Sequence, residues 1–496
     1  MSFHTLWTNI KRLFGGERET YVFVFIFFIS IILRFINYNN RFVLASDQAR
    51  DVLIVLEAIH MHKIPLIGPF SASGPFVFGP YWYWIFTIPV FFFQHSLLAP
   101  WIFQSILYVC AIPLMFFIGK ELYNPRFGIL LSLFTAISTS EIKLSTNLIF
   151  SALVGFLSFL ILYLFILYIK NKKLKYLLIL SLLISIAINT HFEAIPLIFF
   201  ILFAFLFGKR NIFHLLLAIM AFILPFIPLL IFNIQSHNFE LSHIMKFHQT
   251  IPKGISLFQF IKAELGPVNF FPRVWGDTIG GSVIAGWIMI ITFIYFMFFI
   301  LKKRAKREEK ILIGLFICVI VSIIAYEGRL FENFLGFVFP FMILFTSLVC
   351  YYLIQFNKTL GFLAILLITF FSLFSDFHVI SNANNIILST ANFWENSLIA
   401  KYPDQQFAIY NYSSNTDESI PLSLLLYISG KTNDTNGLKI GVANVGAPIY
   451  QQVAIEGPLN LRLYTLENAS DKQIKNEGFS PVTPSKIYAS VEDWYK

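Results

Sequence analysis

The segment best equipped for chemistry is SDQARD, at positions 46–51, which directly follows an apolar run at 21–36. Asp47, Arg50 and Asp51 have the i, i+3, i+4 spacing that puts side chains on one face of a helix. The next residues, VLIVLEAIHMH, have helical spacing, which predicts a short helix with Asp47 near its N-terminal end, where the helix dipole favours a carboxylate. Ionisable groups at a bilayer surface indicate chemistry or a substrate path, although an N-cap at Asp47 and surface charges at the other two would also fit.

The composition of the chain is that of a polytopic membrane protein. Of its 496 residues, 57% are hydrophobic and 13% are charged, whereas about 25% of the residues of a soluble chain are charged. The net charge of +9 does not indicate a nucleic-acid partner, because the basic residues cluster between apolar runs, as they do in cytoplasmic loops. The three cysteines, Cys110, Cys318 and Cys350, are too scattered for a disulfide framework or a zinc site.

About eleven apolar runs are long enough, or nearly so, to cross the roughly 30 Å hydrocarbon layer as helices. They begin near residues 20, 98, 126, 146, 174, 191, 212, 283, 310, 334 and 359. If the N-terminus is cytoplasmic, the inner segments hold 18 Lys and Arg residues and the outer loops before the tail hold 9. This asymmetry predicts a multi-pass protein of the plasma or inner membrane with an extracytoplasmic tail. No small-residue cleavage site follows the first run, which predicts an uncleaved membrane helix.

Two domains are predicted. Residues 1–378 form an all-α membrane domain, whose long outer loop at 38–97 carries the catalytic residues and interfacial helices. One of these helices falls in the short run at 79–93, which is rich in the Trp and Tyr residues that favour headgroup depth. Residues 379–496 contain the alternating segments QFAIYNY, LKIGVANV and LRLYTL, which predict strands of a small extracytoplasmic α/β domain.

Three more polar clusters fall on the predicted outer face. Glu141 lies in a short second loop, STSEIKLSTN, while His191 and Glu193 lie in NTHFEAIP at the start of the sixth run, and Arg329 lies in YEGRLFEN. Each cluster also has a plainer interpretation, as solvated loop charges or helix caps. Because all four clusters share one face and the spans hold almost no charge, we expect an outward-facing catalytic centre rather than a channel.

This arrangement resembles the GT-C glycosyltransferases, and most of all the branch with the protein O-mannosyltransferases and the aminoarabinose transferases. The likeness rests on a first span followed by SDQARD, a Gly-Pro loop, a GPYWYW interfacial helix and an acidic second loop, and it covers roughly residues 15–350. It implies that a sugar is transferred from a polyprenyl phosphate donor to a glycan, lipid or protein acceptor at the outer face of the membrane. Single displacement would invert the anomeric centre.

The same resemblance implies roles for individual residues. Asp47 matches the catalytic carboxylate, Arg50 a ligand of the donor phosphate, and Glu141 the second acidic position. The interfacial helix of the family often begins with Lys-Pro-Pro, whereas this chain reads FGPYWYW, so Lys63 or Arg329 is expected to replace the missing Lys. The remaining candidate site residues are Asp51, His191 and Glu193. The superfamily admits a divalent metal, but no His/Asp cluster in this sequence demands one.

Two alternative functions use similar ligands. A cell-surface polysaccharide polymerase or ligase usually places basic residues in large outer loops, and the loop at 235–282 has only four. A non-catalytic transporter of lipid-linked sugars would need charges along the spans, broken helices or inverted repeats, which are not clear in the sequence. The absence of a P-loop, of GxGxxG after a strand and of a DxD motif favours a lipid-linked over a nucleotide-linked donor.

The predicted orientation can be tested by cysteine labelling. A cysteine introduced at position 415, in the predicted outer domain, should react with a membrane-impermeant maleimide added outside the cell. One introduced at position 305, within the basic segment KKRAKREEK, should not react. The reverse pattern would invert the topology and move the SDQARD segment to the cytoplasm.

Overall fold

The fold is described from a computed structural model of the chain. The described residues are 11, 13–71, 77–250, 270–303, 306–325, 332–412, 419–433, 436–444, 452–456, 458, 461–466, 471–476 and 479–482. Within them the chain is mostly helical, and the strands all lie towards the C-terminus.

The first half is a succession of apolar helices joined by short turns. Where a helix starts after a turn, the sequence often supplies a cap: the side chain of Asn124 accepts the backbone N–H of Phe127, and Pro125 takes the first helical position. The helices are α1 (Glu17–Phe35), α2 (Tyr38–Arg41), α3 (Ser46–His60), α4 (Tyr81–Phe92), α5 (Ala99–Leu122), α6 (Pro125–Ala136), α7 (Thr139–Thr146), α8 (Phe150–Asn171), α9 (Leu174–Thr190), α10 (Ile198–Phe207), α11 (Ile212–Ile223) and α12 (Ile227–Gln235). A 3-10 helix at Phe192–Leu197 joins α9 to α10.

The second half continues with helices and ends in a mixed α/β region. The helices are α13 (Phe239–Thr250), α14 (Phe270–Thr278), α15 (Val283–Lys303), α16 (Arg307–Ile324), α17 (Phe339–Phe356), α18 (Lys358–Ser381), α19 (Ile386–Lys401), α20 (Ser419–Ile428) and α21 (Asp471–Asn476). The strands are β1 (Phe407–Tyr412), β2 (Leu438–Asn444), β3 (Gln452–Glu456), β4 (Leu461–Thr465) and β5 (Phe479–Pro481). A further 3-10 helix at Glu332–Val338 leads into α17.

The mostly helical membrane architecture is confirmed, but the count of eleven spans is not. In the part of the chain that the structure describes, five helices are long and apolar enough to cross a membrane, or up to seven if each of two bent pairs is one span. Some predicted spans are shorter than expected: α9, for example, has 17 residues. Others are bent, because α14 and α15 meet at 96°.

The predicted second outer loop is largely a helix. STSEIKLSTN was expected to be a loop, but residues 139–146 form α7, which follows α6 at an angle of 56°. The hydroxyl of Ser138 accepts the backbone N–H of Glu141 and caps the new helix. Seven of the eight residues of α7 are buried. The reason is local: a Ser cap can restart a helix directly after a bend, whereas polarity alone suggested a loop.

The three predicted strand segments form strands of one mixed sheet. The strand order is β3-β4-β2-β1-β5; β1 and β2 are parallel and the other pairs are antiparallel. Helix α20 lies between this sheet and the membrane helices, because it packs against β1, α19 and α3. Leu422, Leu424 and Leu426, which lie on different sides of this helix, are all buried. The sheet region therefore supports α3, the helix that carries SDQARD.

A buried arginine ties the C-terminal end of α1 to the end of α6. Arg34 has no exposed surface, and its guanidinium donates to the carbonyl oxygens of Thr135 and Ala136, each at 3.2 Å. These carbonyls are at the C-terminal end of α6, where the helix dipole favours a cation. Glu141 and Asp376, both buried, interact electrostatically with the same guanidinium. The cluster shows how this region keeps a charge away from lipid.

Replacing Arg34 should therefore destabilise the fold. Arg34→Met leaves buried Glu141 without its cation, removes one of the cations near Asp376 and leaves the two carbonyls without their donor. Breaking a buried charge group typically costs about 3–5 kcal/mol. The apparent Tm of the purified variant in detergent should fall sharply. Arg126→Met is the matched control, because Arg126 is 84% exposed and lies 3.5 Å from Glu19, an arrangement worth about 0–1 kcal/mol. Equal losses in both variants would contradict a structural role for Arg34.

Candidate active site

The site begins at the first turn of α3. The backbone N–H of Ala45 donates to the side-chain oxygen of Gln48 at 3.2 Å. This bond gives the N–H just before the helix a hydrogen-bond partner. Asp47 is the first acidic residue of the helix, and its side chain is 71% exposed. The predicted helix and the predicted place of Asp47 near its N-terminal end are thus present. An exposed carboxylate at a fixed helix end is available to a ligand.

Arg50 lies between two carboxylates. Its Nη1 donates to Asp47 at 2.8 Å, while its Nε and Nη2 donate to Oδ1 of Asp51 at 3.1 and 2.9 Å. The side chain of Asp47 is open to solvent, whereas that of Asp51 is 5% exposed. The three residues therefore lie on one face of the helix, as predicted, and are joined by hydrogen bonds. Asp51 is the buried carboxylate of this group and Asp47 the exposed one.

Asp51 is held by the aromatic helix α4. Nε1 of Trp82 donates to its Oδ2 at 2.9 Å, and the hydroxyl of Tyr83 donates to its Oδ1 at 3.3 Å. Burial raises the pKa of Asp51, and the Arg50 guanidinium and the Trp82 N–H oppose this rise. Trp82 and Tyr83 are themselves 1% exposed. Asp51 thus acts as a buried anchor that fixes the guanidinium of Arg50.

The start of α4 is positioned by close backbone contacts. The N–H of Gly79 donates to the carbonyl of Asn189 at 2.6 Å, and a Cβ at Gly79 would lie 2.7 Å from the Asn189 side chain. Only glycine permits this approach of the loop to α9. On the other side, the carboxylate of Glu240 accepts the N–H of Val77 at 3.1 Å. Burial raises the pKa of Glu240 to about 7. These contacts set the position from which Trp82 and Tyr83 reach Asp51.

His191 and Glu193 lie behind this loop. The His191 ring packs against Phe78 and Phe150, with 5.0 Å between ring centroids in each pair. Its Nδ1 accepts the backbone N–H of Glu193, which caps the 3-10 helix that follows. The Glu193 side chain is 8% exposed, and its oxygens have no hydrogen-bond partner among the described residues. The capping interpretation describes His191 well.

Among the described residues, no hydrogen bond or ion pair joins Asp47 to the other predicted site residues outside α3. Glu141 is fully buried beside Arg34, and no hydrogen bond or ion pair among the described residues joins it to Asp47. Lys63 follows the far end of α3, roughly 20 Å from Asp47 at 1.5 Å of rise per residue. Arg329 lies outside the described residues. The roles predicted for these residues stay predictions, whereas Arg50, a predicted phosphate ligand, contacts both members of the acidic pair.

The described residues do not form a set that fits a metal ion. No group of three His, Cys, Asp or Glu side chains clusters in the described ranges. In the one acidic pair of the site, the Arg50 guanidinium already occupies the space between Asp47 and Asp51. A metal would have to compete with that cation.

Sequence reasoning missed the partners of Asp51. Trp82 and Tyr83 were assigned to the lipid headgroup region because of their residue type, but the indole N–H and the hydroxyl serve the buried carboxylate. A second missed contact joins Gln48, whose side-chain amide donates to Asn147 at 3.1 Å and thereby links α3 to the end of α7. The residue types could have indicated the contacts of Trp82 and Tyr83, because a buried Trp or Tyr usually has a hydrogen-bond partner for its N–H or O–H.

Comparison with protein-family models gives a match to the part of the chain that contains α4. The model of the dolichyl-phosphate-mannose-protein mannosyltransferase family matches residues 75–232, which include α4 and the helices that hold it. No curated protein sequence matches the chain significantly. The family match covers about a third of the chain.

Solved structures share the fold over most of the chain. ArnT from Cupriavidus metallidurans bound to undecaprenyl phosphate has a TM-score of 0.58 at 10% identity, covering 89% of this chain and 97% of that one. ArnT in the apo state has a TM-score of 0.57 at 10% identity, covering 93% and 98%. The oligosaccharyltransferase AglB from Archaeoglobus fulgidus, in complex with an inhibitory peptide and a dolichol-phosphate, has a TM-score of 0.50 at 14% identity, covering 85% and 65%. The family match and the folds together confirm the resemblance to the GT-C superfamily of membrane glycosyltransferases.

The anchoring role of Trp82 makes a testable prediction. Trp82→Phe keeps the ring but removes a donor to a buried carboxylate, and a hydrogen bond to a charged group contributes about 1.5–3 kcal/mol. We expect a lower apparent Tm and a raised KM for the sugar donor, because Arg50 loses its fixed position. Trp84→Phe is the matched control on the same helix, since its N–H donates only to the neutral carbonyl of Pro65. If both variants keep the parent KM, Asp51 does not position Arg50.

Proposed function

We propose that this protein transfers a sugar from a polyprenyl phosphate donor to an acceptor hydroxyl at the extracytoplasmic face of the membrane. The observation that carries the proposal is the group on α3: an exposed Asp47, bonded to Arg50, which is fixed from behind by buried Asp51. The reaction needs one carboxylate base and one cation for the leaving phosphate, and the group supplies both. The orientation is supported by the asymmetry of basic residues between the two faces.

In the proposed reaction, Asp47 takes the proton of the acceptor hydroxyl as its oxygen bonds to the anomeric carbon. The bond from that carbon to the phosphate oxygen breaks, its electron pair stays on the phosphate, and the configuration inverts. Asp47 is suited to this role because it is the exposed member of the pair, at a helix end that a substrate can approach. Asp51 is not, because its oxygens are committed to Arg50, Trp82 and Tyr83.

Arg50 is the proposed ligand of the donor phosphate. Guanidinium groups bind phosphate oxygens in bidentate fashion, and the charge that they supply stabilises the leaving group. The two bonds to Asp51 are shielded from water, whereas the bond to Asp47 is exposed and easily exchanged. Donor binding would therefore draw Arg50 away from Asp47 and leave this carboxylate free to act as base.

The lipid-linked donor is supported by the neighbours in the fold. One structure of ArnT contains undecaprenyl phosphate and one of AglB contains a dolichol-phosphate. The polymerase or ligase alternative would use the same group and the same donor, so it differs only in the acceptor. The transporter alternative leaves Asp47 without a role, and it is separated from the enzyme by the experiment below.

Replacing the proposed base should abolish transfer without unfolding the protein. Asp47→Asn removes a proton acceptor at an exposed position, and loss of a general base typically lowers the rate about 10²–10⁴-fold. Transfer from a radiolabelled polyprenyl phosphate sugar to endogenous acceptors in membranes measures this loss, and the apparent Tm checks the fold. Asp404→Asn, at an exposed position after α19, is the control. A rate for Asp47→Asn within a few-fold of the control would remove Asp47 from the mechanism.

A further inference from the structure

The first turn of α3, which carries the proposed base, lacks the usual kind of helix cap. The residue before the helix is Ala45, whose methyl side chain cannot accept the N–H groups of the first turn. An Ala in place of Ser, Thr, Asn or Asp at such a position typically costs about 1 kcal/mol. Helix ends fray where their first N–H groups have no partner. Other contacts must therefore hold this turn.

Gln48 supplies two of these contacts. Its side-chain oxygen accepts the N–H of Ala45 at 3.2 Å, and its side-chain amide donates to Oδ1 of Asn147 at 3.1 Å. Gln48 is 5% exposed, whereas the side chain of Asp47 next to it is 71% exposed. Successive residues of a helix point about 100° apart, so Gln48 can fix the turn from inside while Asp47 reaches solvent.

Asn147 is itself fixed well enough to serve as an anchor. The side-chain amide of Gln104, in α5, donates to the backbone carbonyls of Leu144 and Asn147. Gln104 is 1% exposed, so these bonds are shielded from water. The carbonyl of Asn147 also accepts the N–H of Ile149 at 2.8 Å. These bonds join the residue to α5 and to the start of α8.

The segment that leads into α3 is held at the same place. Val43 forms a short parallel bridge with Asn147, and its N–H donates to the carbonyl of Thr146 at 2.9 Å. The carbonyl of Val43 accepts Nε1 of Trp101, a fully buried residue of α5, at 2.9 Å. The backbone before α3 and the first turn of α3 are thus bonded to one junction, formed by α5 and the end of α7.

Asp47 depends on this junction because its own side chain has little support. In the described part of the chain its carboxylate is bonded only to Arg50, which the proposed reaction draws away to the donor phosphate. The direction of the carboxylate is then set by the backbone of the first turn. A base must lie within hydrogen-bond reach of the proton that it takes, and a displacement of about 1 Å can lower a rate about 10²-fold.

We infer that Asn147 is a positioning residue for the base: through Gln48 it holds the first turn of α3 and keeps Asp47 directed at the acceptor hydroxyl. The inference rests on the proposed function. The site then has two separate supports. Trp82 keeps Arg50 in place for the donor, and its loss should affect donor binding. Asn147 keeps Asp47 in place for the proton transfer, and its loss should affect the rate at saturating donor.

Asn147→Leu tests the inference, because it removes the side-chain acceptor at similar size and leaves the backbone bonds of the residue. In the transfer assay used for Asp47→Asn, its rate at saturating donor should fall about 10- to 100-fold. Binding of undecaprenyl phosphate, added alone to the full-length protein in detergent, should match that of the parent. Amide hydrogen exchange should become faster in residues 44–50 and stay unchanged in residues 81–92. Gln48→Met removes the same bond from the other side and should have the same effects.

Asn124→Leu is the matched control. The side chain of Asn124 likewise accepts a backbone N–H, from Phe127 at 3.0 Å, and donates to the hydroxyl of Tyr351 at 3.2 Å. It lies at the start of α6, the end away from α7. This variant should lower the apparent Tm without a comparable loss of rate. Equal losses of rate in Asn124→Leu and Asn147→Leu would reduce Asn147 to a structural role and overturn the inference.

The outcomes separate this inference from the proposed function. In an Asp47→Asn background the base is already absent, so adding Asn147→Leu should lower the residual rate no further. A full additional loss, weaker binding of undecaprenyl phosphate by Asn147→Leu, or a parental rate in Asn147→Leu and Gln48→Met would overturn the inference and leave Asp47 as the base. A parental rate in Asp47→Asn would instead remove the base, and the inference with it.

Discussion

The site depends on one buried carboxylate. Asp51 is almost completely enclosed, and an isolated carboxylate in such a place would be too costly to keep ionised. Arg50, Trp82 and Tyr83 together supply four hydrogen bonds to its two oxygens, which offsets that cost. Because these partners come from both α3 and α4, satisfying Asp51 also fixes the angle between the two helices. The position of the exposed Asp47, which lies on the same helix, therefore depends on the hydrogen bonds of the buried Asp51.

The same constraint explains why the loop before α4 is so restricted. Trp82 can donate to Asp51 only if the first residues of α4 lie close to α3. The contact of Gly79 with Asn189 fixes the position of these residues. His191 and its aromatic neighbours fill the space behind the loop. Gly79 thus contributes to an electrostatic interaction in which it takes no direct part, because its contact with Asn189 sets the position of Trp82. The region matched by the mannosyltransferase family model, residues 75–232, contains this support and leaves out α3 itself.

The sequence predicted much of the local structure and less of the packing. Helix α3 and three of the strands lie where periodicity placed them, and helix α4 lies in the short aromatic run at 79–93, because each depends mainly on its own residues. Glu141 was assigned to an exposed loop since its neighbours are polar, but the Ser138 cap and the bend after α6 turn that segment into a buried helix. The partners of Asp51 and Arg34 could not be predicted, because they come from residues about 30 to 340 positions away.

The two arginine clusters, around Arg34 and Arg50, differ in how far their partners are buried, and this difference separates a structural charge from one that can bind a ligand. Arg34 is enclosed on all sides, bonded to helix-end carbonyls, so its charge can only serve the fold. Arg50 has one shielded partner and one partner in solvent, so part of its hydrogen-bonding capacity can be exchanged for a ligand at little cost. Such an asymmetry is what distinguishes a cation that can bind a substrate from one that cannot. It also explains why the number of charges in an outer loop says little about a site until their partners are known.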